Sequence, residues 1–399
     1  MTEESLFTLQ NLYRAYCACR EGKRKTHNML AFEMDRERNL VALLHELRSR
    51  TYRISRHICF VIKKPSPREI FAADFRDRVV HHLLYRAISP SIDARLLPHS
   101  YANRPGKGTH AAVHMLESHI RAVKRATGGG YYLKLDIWSF FRSINRHILY
   151  ALVERHIAED AGGGQTSGLR DEISWLAEKI IFHDPTRNFA WKGDPSNRAL
   201  IPPHKSLFSS GGTGLPIGNL TSQFFANVYL HELDRFIVRE LGCARYVRYV
   251  DDMVLVDADK EKLRSFVPRI EAFLRERLCL RLHPDKTRLE KTSRGVDFLG
   301  YFIKPSHTLV RQKVVRRLKA RLYAAETSAS ASSARDVARA LLPALNSYWG
   351  HFGHANSARL RRHLFEKHMP ALRGYLTTDD ECRSFTFRKS NRSPGSSKT

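Results

Sequence analysis

Long apolar runs are absent from this sequence. No stretch approaches the roughly 20 consecutive apolar residues that a membrane-spanning helix needs. The N-terminus carries Glu3 and Glu4 and lacks the apolar core of a secretory signal. We therefore expect a cytoplasmic protein with no membrane partner.

Cysteine is also scarce, with 6 residues scattered over a chain of 399. The one close pair, Cys17 and Cys19, has a single residue between its members, which fits neither a disulfide framework nor a zinc motif. Histidine is more frequent, and His351 and His354 lie three apart, but no third and fourth ligand converges on them in the sequence. We expect these histidines to lie on a helix facing solvent or nucleic acid.

Acidic residues are few relative to basic ones. The chain has 67 Lys and Arg against 40 Asp and Glu, which gives a formal net charge of +27. The excess is spread along the chain, so the whole surface is suited to a polyanionic partner such as a nucleic acid. The alternative is a basic soluble protein without such a partner.

Turn-forming residues dominate residues 184–214, which show no sustained periodicity. A long segment of this kind is typical of a functional insertion or a mobile flap. After it, the apolar residues at positions 225, 229, 233, 236 and 237 have the spacing of an amphipathic helix.

Three aspartates stand at the ends of predicted strands. Asp136 ends "YYLKLD", and Asp251 and Asp252 lie between "RYV" and "MVLV". Carboxylates that converge from neighbouring strands can hold two divalent cations about 4 Å apart, as phosphoryl transfer requires. A hydrophilic hairpin turn is the alternative interpretation of the paired aspartates.

The motifs occur in an order that resembles the reverse transcriptases. "YVDD" at 249–252 follows "LKLDIWSFF" and "GLPIGNLTSQ", as in the palm of that family. "PREIFAADFRDRVVHH" and "SYANRPGKGTH" resemble its fingers motifs, "LHPDKT" its lysine-bearing palm motif, and "FLG" its primer grip. The resemblance extends from about residue 40 to about residue 365.

This resemblance implies an α+β fold, a right-hand polymerase with an antiparallel palm, helical fingers and a helical thumb. The expected divisions are an N-terminal helical extension at 1–40, fingers at 41–130, a palm at 131–303 that contains the 184–214 insertion, a thumb at 304–375 and a flexible basic tail at 376–399.

The resemblance also implies a two-metal centre. Asp136 and Asp251 would bind two Mg²⁺ ions, or Mn²⁺, with Asp252 as an auxiliary acid and the Ile137 carbonyl as a further ligand. Phe141 falls where the family keeps a ring that clashes with a 2′-hydroxyl, which would select dNTPs. Phe140 and Phe141 could instead both belong to the core.

Cations and motif residues complete the predicted site. Lys286 matches the lysine proposed to protonate the departing pyrophosphate, and Arg68, with Lys63 or Lys64, lies where the fingers clamp the triphosphate. Nucleotide contacts are also expected from Ile217, Gly218 and Gln223. Template or primer contacts are expected from Arg76, Arg78, Arg104, Lys107, Phe298, Leu299 and Gly300.

One departure from the common family pattern concerns fidelity. Many reverse transcriptases place Gln before the glycine of the central motif, where this chain has Ile217. This form resembles the enzymes of diversity-generating retroelements and related bacterial groups. Loss of the polar contacts of Gln predicts reduced or unusual fidelity.

Two bacterial contexts fit the remaining features. We expect no RNase H, integrase or endonuclease domain after the predicted thumb, nor the C-terminal parts of group II intron proteins. The long 184–214 segment resembles one in defence-linked reverse transcriptases, which favours antiphage defence over a diversity-generating retroelement. RNA template, DNA product, dNTPs and a noncoding RNA, partner protein or second copy are the expected partners. The alternatives are an inactive RNA-binding scaffold and an RNA-directed RNA polymerase.

Overall fold

The computed structural model describes residues 5–21, 26–64, 66–160, 166–331, 333–379 and 382–388. The chain has a mixed α+β architecture and forms two compact units. The first unit comprises residues 1–108 and 133–289, and the second comprises residues 109–132 and 290–399. The predicted borders of fingers, palm and thumb do not coincide with this division and stay predictions.

Helices make up most of the first unit. Their starts carry capping side chains where the sequence supplies them, as at Asp74, whose carboxylate accepts from the Arg76 N–H. The helices are α1 (Leu9–Arg20), α2 (His27–Met34), α3 (Arg36–Arg48), α4 (Phe75–Arg95), α6 (Phe140–Ser143), α7 (Arg146–Glu159), α8 (Ser167–Phe182), α9 (Leu220–Arg235) and α10 (Lys260–Leu278).

Helix α9 is buried along most of its length. The sequence predicts an amphipathic helix here, but polar residues such as Thr221, Asn227 and Asp234 are buried as well. The reason is that α4, α7 and α10 all pack against it, so the helix has no solvent face of its own along most of its length. A short π-helical turn, Phe236–Glu240, extends it.

Two sheets accompany these helices. The first has the order β2-β1-β4, formed by β1 (His57–Ile62), β2 (Arg68–Ala72) and β4 (Phe189–Trp191). Strand β1 pairs antiparallel with β2 and parallel with β4. The chain therefore reverses direction between the end of β1 and the start of β2.

The second sheet carries the predicted acidic residues. Its order is β5-β6-β3-β7, formed by β3 (Tyr131–Leu135), β5 (Tyr246–Tyr249), β6 (Asp252–Asp257) and β7 (Arg288–Lys291). Strands β5 and β6 form an antiparallel hairpin in which Tyr249 pairs with Asp252.

The second unit combines α5 with the C-terminal part of the chain. Its elements are α5 (Thr109–Thr127), β8 (Val296–Phe298), β9 (Tyr301–Ile303), β10 (Thr308–Val310), α11 (Gln312–Ala331), α12 (Ala334–Gly353), α13 (Ala358–His368), β11 (Leu376–Thr378) and β12 (Phe385–Phe387). Strands β8, β9 and β10 form an antiparallel sheet. Trp349 and Phe352 of α12 are fully buried in a core shared with α11 and α13.

The predicted flexible tail is wrong for its first part. Strands β11 and β12 pair antiparallel, and Phe385 packs edge-on against Trp349 with ring centroids 5.0 Å apart. Apolar residues at 376, 385 and 387 give this part of the chain a surface to bury. Residues 389–399 of the predicted tail lie outside the described residues.

Candidate active site

Three carboxylates meet at one end of the second sheet. Asp136 directly follows β3, Asp251 lies in the turn between β5 and β6, and Asp252 begins β6. Because β3 and β6 are neighbours in the sheet, the three side chains face one cleft of about 440 Å³. The structure thus brings together the acids that the sequence predicts as metal ligands.

The turn that presents Asp251 has a restricted backbone. Val250 has φ 57°, a left-handed conformation that is unfavourable for a β-branched residue. The Val250 carbonyl accepts a hydrogen bond of 3.1 Å from the Arg248 guanidinium. The same guanidinium binds both carboxylate oxygens of Asp234, at 2.7 and 2.6 Å.

This pair is completely enclosed. The side chains of Arg248 and Asp234 are 0% and 1% exposed, and Tyr246 donates a further hydrogen bond of 2.8 Å to Asp234. A buried charged pair with its hydrogen bonds satisfied holds its members in one geometry. We conclude that α9 fixes the position of the Asp251 turn through Arg248.

Burial and neighbouring acids raise the pKa values of Asp251 and Asp252. Burial and the nearby Asp136 and Asp252 raise the pKa of Asp251 to about 7. Burial also raises the pKa of Asp252, and Lys134, 3.4 Å away, opposes that shift. The cleft therefore holds more negative charge than its surroundings compensate, which is the condition for attracting cations.

Lys286 lies directly against Asp136. Its ammonium is 2.9 Å from both carboxylate oxygens, while its side chain is 52% exposed. The ammonium therefore partly neutralises Asp136 and can also reach solvent within the same cleft. The sequence predicts a functional lysine here, and the structure places it beside an acid that is a predicted metal ligand.

The two phenylalanines after Asp136 differ in their surroundings. Both border the cleft, but Phe140 is 2% exposed and belongs to the core, whereas Phe141 is half-buried. This separates the two interpretations of the pair that the sequence leaves open. Both rings border the cleft, and Phe141 presents the larger exposed surface to a ligand there.

Residues of the central motif pack against the first sheet. Ile217 lines the cleft, and its carbonyl accepts a hydrogen bond of 3.0 Å from the Phe71 N–H of β2. Gly218 has φ 124°, and a Cβ there would lie 2.9 Å from Ile70. Glycine is thus required at 218 by the close approach of β2. Gln223, by contrast, is exposed on α9 and is not among the residues that line the cleft.

Arg68, at the start of β2 in the first sheet, is exposed and lines the cleft. Its neighbour Glu69 also borders the cleft but is only 5% exposed. Lys63 and Lys64 are exposed but are not among the residues that line the cleft.

The prediction of nucleic-acid contacts is wrong for Arg104, which has structural partners. Its side chain is 7% exposed and binds Asp93 at 2.6 Å and the Leu97 carbonyl at 2.7 Å. The Lys107 ammonium binds the carbonyls of Pro98 and Ser100, at 2.7 and 3.2 Å. Both side chains use their charge to stabilise the loop before α5.

Two further predicted phosphate ligands also have partners inside the protein. Arg76 pairs with Glu46 and lies over the Tyr52 ring. Arg78 donates a hydrogen bond of 2.8 Å to the Ala73 carbonyl. These contacts stabilise the start of α4 and leave each guanidinium partly engaged.

The predicted primer-grip residues lie in the second unit. Phe298 ends β8 and is fully buried, and Leu299 and Gly300 form the turn to β9 with φ 48° and 90°. A Cβ at Gly300 would lie 3.1 Å from His351. The ring of His351 packs against that of Tyr301 at 4.3 Å, so this histidine is structural in the described fold.

Several cleft residues escape prediction from the sequence. Trp138 and His283 line the cleft with ring centroids 4.7 Å apart, and Lys134 of β3 approaches Asp252 at 3.4 Å without lining the cleft itself. Lys205, from the turn-rich segment, also lines the cleft. Spacing gave no signal for Lys205 because nothing in a segment without periodicity shows which side chain points inward.

The acids suit Mg²⁺ better than a metal that needs a complete protein cage. Among the described residues, no group of three or more His, Cys, Asp and Glu side chains has the geometry of a preformed metal site. Mg²⁺ characteristically takes one or two carboxylates and completes its shell with water and substrate phosphate oxygens. The excess negative charge at Asp251 and its neighbours fits such a partial ligand set.

Within the residues that the structure describes, no helix has the length and apolarity to span a bilayer. All six cysteines are free thiols.

Comparison with known proteins agrees with the order of the motifs. The family model described as reverse transcriptase (RNA-dependent DNA polymerase) matches residues 62–303. Protein YkfC of Escherichia coli (strain K12) is 23% identical over 270 residues, which cover 60% of this chain and 62% of YkfC. The group II intron-encoded protein LtrA of Lactococcus lactis subsp. cremoris is 21% identical over 325 residues, covering 65% of this chain and 48% of LtrA.

The chain thus spans about half to three fifths of the length of these curated relatives. Among solved structures, apo telomerase from Candida tropicalis, truncated from its C-terminal domain, matches 64% of this chain and 55% of its own with a TM-score of 0.48 at 12% identity. Because the family model matches more than half of the sequence and includes all three acids of the cleft, the chain belongs to the reverse transcriptase family.

Proposed function

We propose that this protein is an RNA-directed DNA polymerase that extends a primer with dNTPs on an RNA template. The observation that carries the proposal is the convergence of Asp136, Asp251 and Asp252 in one cleft with Lys286 and Phe141. Surplus negative charge beside a cation and a ring is the arrangement that nucleotidyl transfer requires.

The acids have a defined part in this proposal. Asp136 and Asp251 would hold two Mg²⁺ ions, with Asp252 as an auxiliary acid and the Ile137 carbonyl as a further ligand. The ions, when bound, activate the attacking hydroxyl and stabilise charge on the transferred phosphate. Lys286 moves from Asp136 toward the leaving group, and its exposed ammonium can supply a proton there.

The walls of the cleft define the substrate. In this proposal the ring of Phe141 clashes with a 2′-hydroxyl, which favours dNTPs over rNTPs. Arg68 is placed to bind the triphosphate, since a guanidinium binds phosphate bidentately and keeps its charge. Ile217 offers an apolar contact where an amide would hydrogen bond, which supports relaxed base-pair discrimination.

The test is incorporation of labelled dNTPs on an RNA template annealed to a DNA primer, with Mg²⁺. We expect Asp251→Asn/Asp252→Asn to lower the rate by about 100-fold or more, since charge stabilisation by bound metal is worth several kcal/mol. Asp171→Asn, which changes a 75% exposed aspartate, is the matched control and should keep full activity.

Two outcomes would redirect the proposal. Incorporation of rNTPs in place of dNTPs would indicate an RNA-directed RNA polymerase. Tight RNA binding without incorporation of either nucleotide, in wild type and in the acid variant alike, would indicate an RNA-binding scaffold.

For the biological role we propose antiphage defence, with a noncoding RNA, partner protein or second copy. It is supported by the resemblance of the 184–214 segment to that of defence-linked enzymes. Cells carrying the wild-type protein should survive phage challenge better than cells carrying Asp251→Asn/Asp252→Asn. Equal survival, together with transfer of a template RNA sequence into a genomic target, would favour a diversity-generating retroelement.

A further inference from the structure

The segment 184–214 is fixed to the first sheet. Its strand β4 pairs in parallel with β1, and the Lys192 N–H donates to the Cys59 carbonyl at 2.8 Å. Leu207 is buried with Cys59 and Phe71, and aromatic rings of the segment pack around this small core. These contacts contradict the prediction of a mobile flap for the described residues.

A buried acid fastens the middle of this segment. Glu69 is 5% exposed and accepts hydrogen bonds from the Ser206 hydroxyl at 2.7 Å and the Leu207 N–H at 2.9 Å. The Arg142 guanidinium donates to the Ser206 carbonyl at 3.3 Å from the opposite side. Breaking such bonds to a buried carboxylate is costly, so residues 206 and 207 have one defined position.

The residue before Lys205 is fixed as well. The His204 ring stacks on Trp138, with centroids 4.6 Å apart and planes at 21°. Trp138, two residues after Asp136, also contacts the ring of His283. His283 in turn lies three residues before Lys286. Lys205 is therefore held between two anchored neighbours, and its exposed side chain lines the cleft of the three acids.

Lys205 and Arg68 both line the cleft. Lys205 therefore adds a second cation to the one that the family motifs predict as a triphosphate ligand. The backbone of β2 connects the two, because Arg68 faces the cleft while the next residue, Glu69, anchors the segment that carries Lys205. A flexible ammonium beside a guanidinium, facing a carboxylate cluster, suits a polyphosphate lying between them.

We propose that Lys205 binds the triphosphate of the incoming nucleotide, and that Glu69 is a positioning residue for it. This inference rests on the proposed polymerase function for its substrate. It assigns to the 184–214 segment a direct part in the nucleotide site, and it makes nucleotide affinity depend on a segment outside the motifs that identify the family.

Binding and turnover together test the assignment. Tripolyphosphate and dNTP binding are measured by titration calorimetry in Ca²⁺, and the kcat and KM for dNTP incorporation are measured in Mg²⁺. We expect Lys205→Gln to weaken both ligands about 10-fold and to raise KM more than it lowers kcat, since one charge-assisted contact is lost. Lys205→Arg should restore most of the affinity.

Lys192→Gln is the matched control, because Lys192 is an exposed lysine of the same segment that is not among the cleft-lining residues. Glu69→Gln keeps the size of the side chain but weakens its two hydrogen bonds, and it should raise KM in the wild-type background while adding little to Lys205→Gln. Additive effects of the two variants would contradict the positioning role.

The outcomes separate this inference from the proposed function. Unchanged triphosphate affinity in Lys205→Gln, in an enzyme that incorporates dNTPs, would overturn the inference alone. Binding of triphosphate that depends on Lys205, in a wild-type protein that incorporates no nucleotide, would sustain the inference and overturn the polymerase. A wild-type protein that binds neither ligand would overturn the assignment of Lys205.

Discussion

Replacing Arg248 by methionine should destabilise the first unit far more than a surface change. Arg248 and Asp234 are 0% and 1% exposed, and the variant leaves the Asp234 carboxylate buried with the Tyr246 hydroxyl as a hydrogen-bond donor. Breaking a buried pair by removing one partner costs about 3–5 kcal/mol in free energy of unfolding. That is a large share of the total stability of a typical domain.

The measurement is guanidinium-induced unfolding followed by circular dichroism and tryptophan fluorescence. Glu261→Gln is the control, because it breaks an ion pair with Arg264 whose side chains are 57% and 66% exposed. Such exposed pairs contribute at most about 1 kcal/mol, and many contribute nothing measurable. The contrast between the two variants isolates the effect of burial.

A second comparison tests the cause of the loss. The double variant Arg248→Met/Asp234→Leu removes both charges, so it should be more stable than Arg248→Met, although the two changes together remove more native contacts. Arg248→Met should also lose polymerase activity, because the Val250 carbonyl loses its guanidinium donor. The double variant lacks the same donor, so it should not regain activity. A loss below about 1 kcal/mol in the single variant, or no recovery in the double, would refute this reasoning.

Three further predictions follow from single side chains. His81 is buried with its Nδ1 atom 2.6 Å from the Thr221 hydroxyl, and burial lowers its pKa to about 3. Because an unfolded histidine titrates near 6.5, the contribution of neutral His81 to stability is complete above pH 6.5 and falls by about 1.4 kcal/mol per pH unit below it. Unfolding midpoints measured at pH 7.5 and 5.0 should therefore show a smaller loss of stability in acid for His81→Gln than for the wild type. Phe141→Val should reduce the preference for dNTPs over rNTPs at least about 10-fold in competition assays, and an unchanged preference would remove the ring as the selecting group. Ile217→Gln should lower misincorporation on a defined template, whereas equal error rates would show that this position does not set fidelity.

The sequence was sufficient for the acids and their setting. Asp136 and Asp251 follow apolar, β-rich runs, and strand ends are where carboxylates from neighbouring strands can converge. The fold class and the family followed from the order of several motifs, and the family is confirmed by the match over residues 62–303. The separation of Phe140 from Phe141 needed the structure, because both residues suit a core.

Other features depend on contacts between distant residues. Arg104 has the sequence context of a surface cation in a loop, and nothing in the sequence shows that it is buried and paired with Asp93. Asp234 has the position of an ordinary acid near the end of an amphipathic helix, and its pairing with Arg248 depends on how α9 packs against β5. The 184–214 segment hid the position of Lys205, because its order comes from Glu69 and β1 rather than from its own periodicity.

The discontinuity of the second unit has a consequence for synthesis of the chain. Helix α5 has a buried stripe that includes Val113, Leu116 and Ile120, and it belongs to a unit whose remaining residues start at 290. At about 5–20 residues per second, a ribosome needs roughly 8–30 seconds to reach that point after α5 is made. Throughout this interval the stripe has no native partner from residues 290–399. A nascent chain stopped before residue 290 should therefore bind apolar-seeking chaperones through α5, and completing the chain should release them.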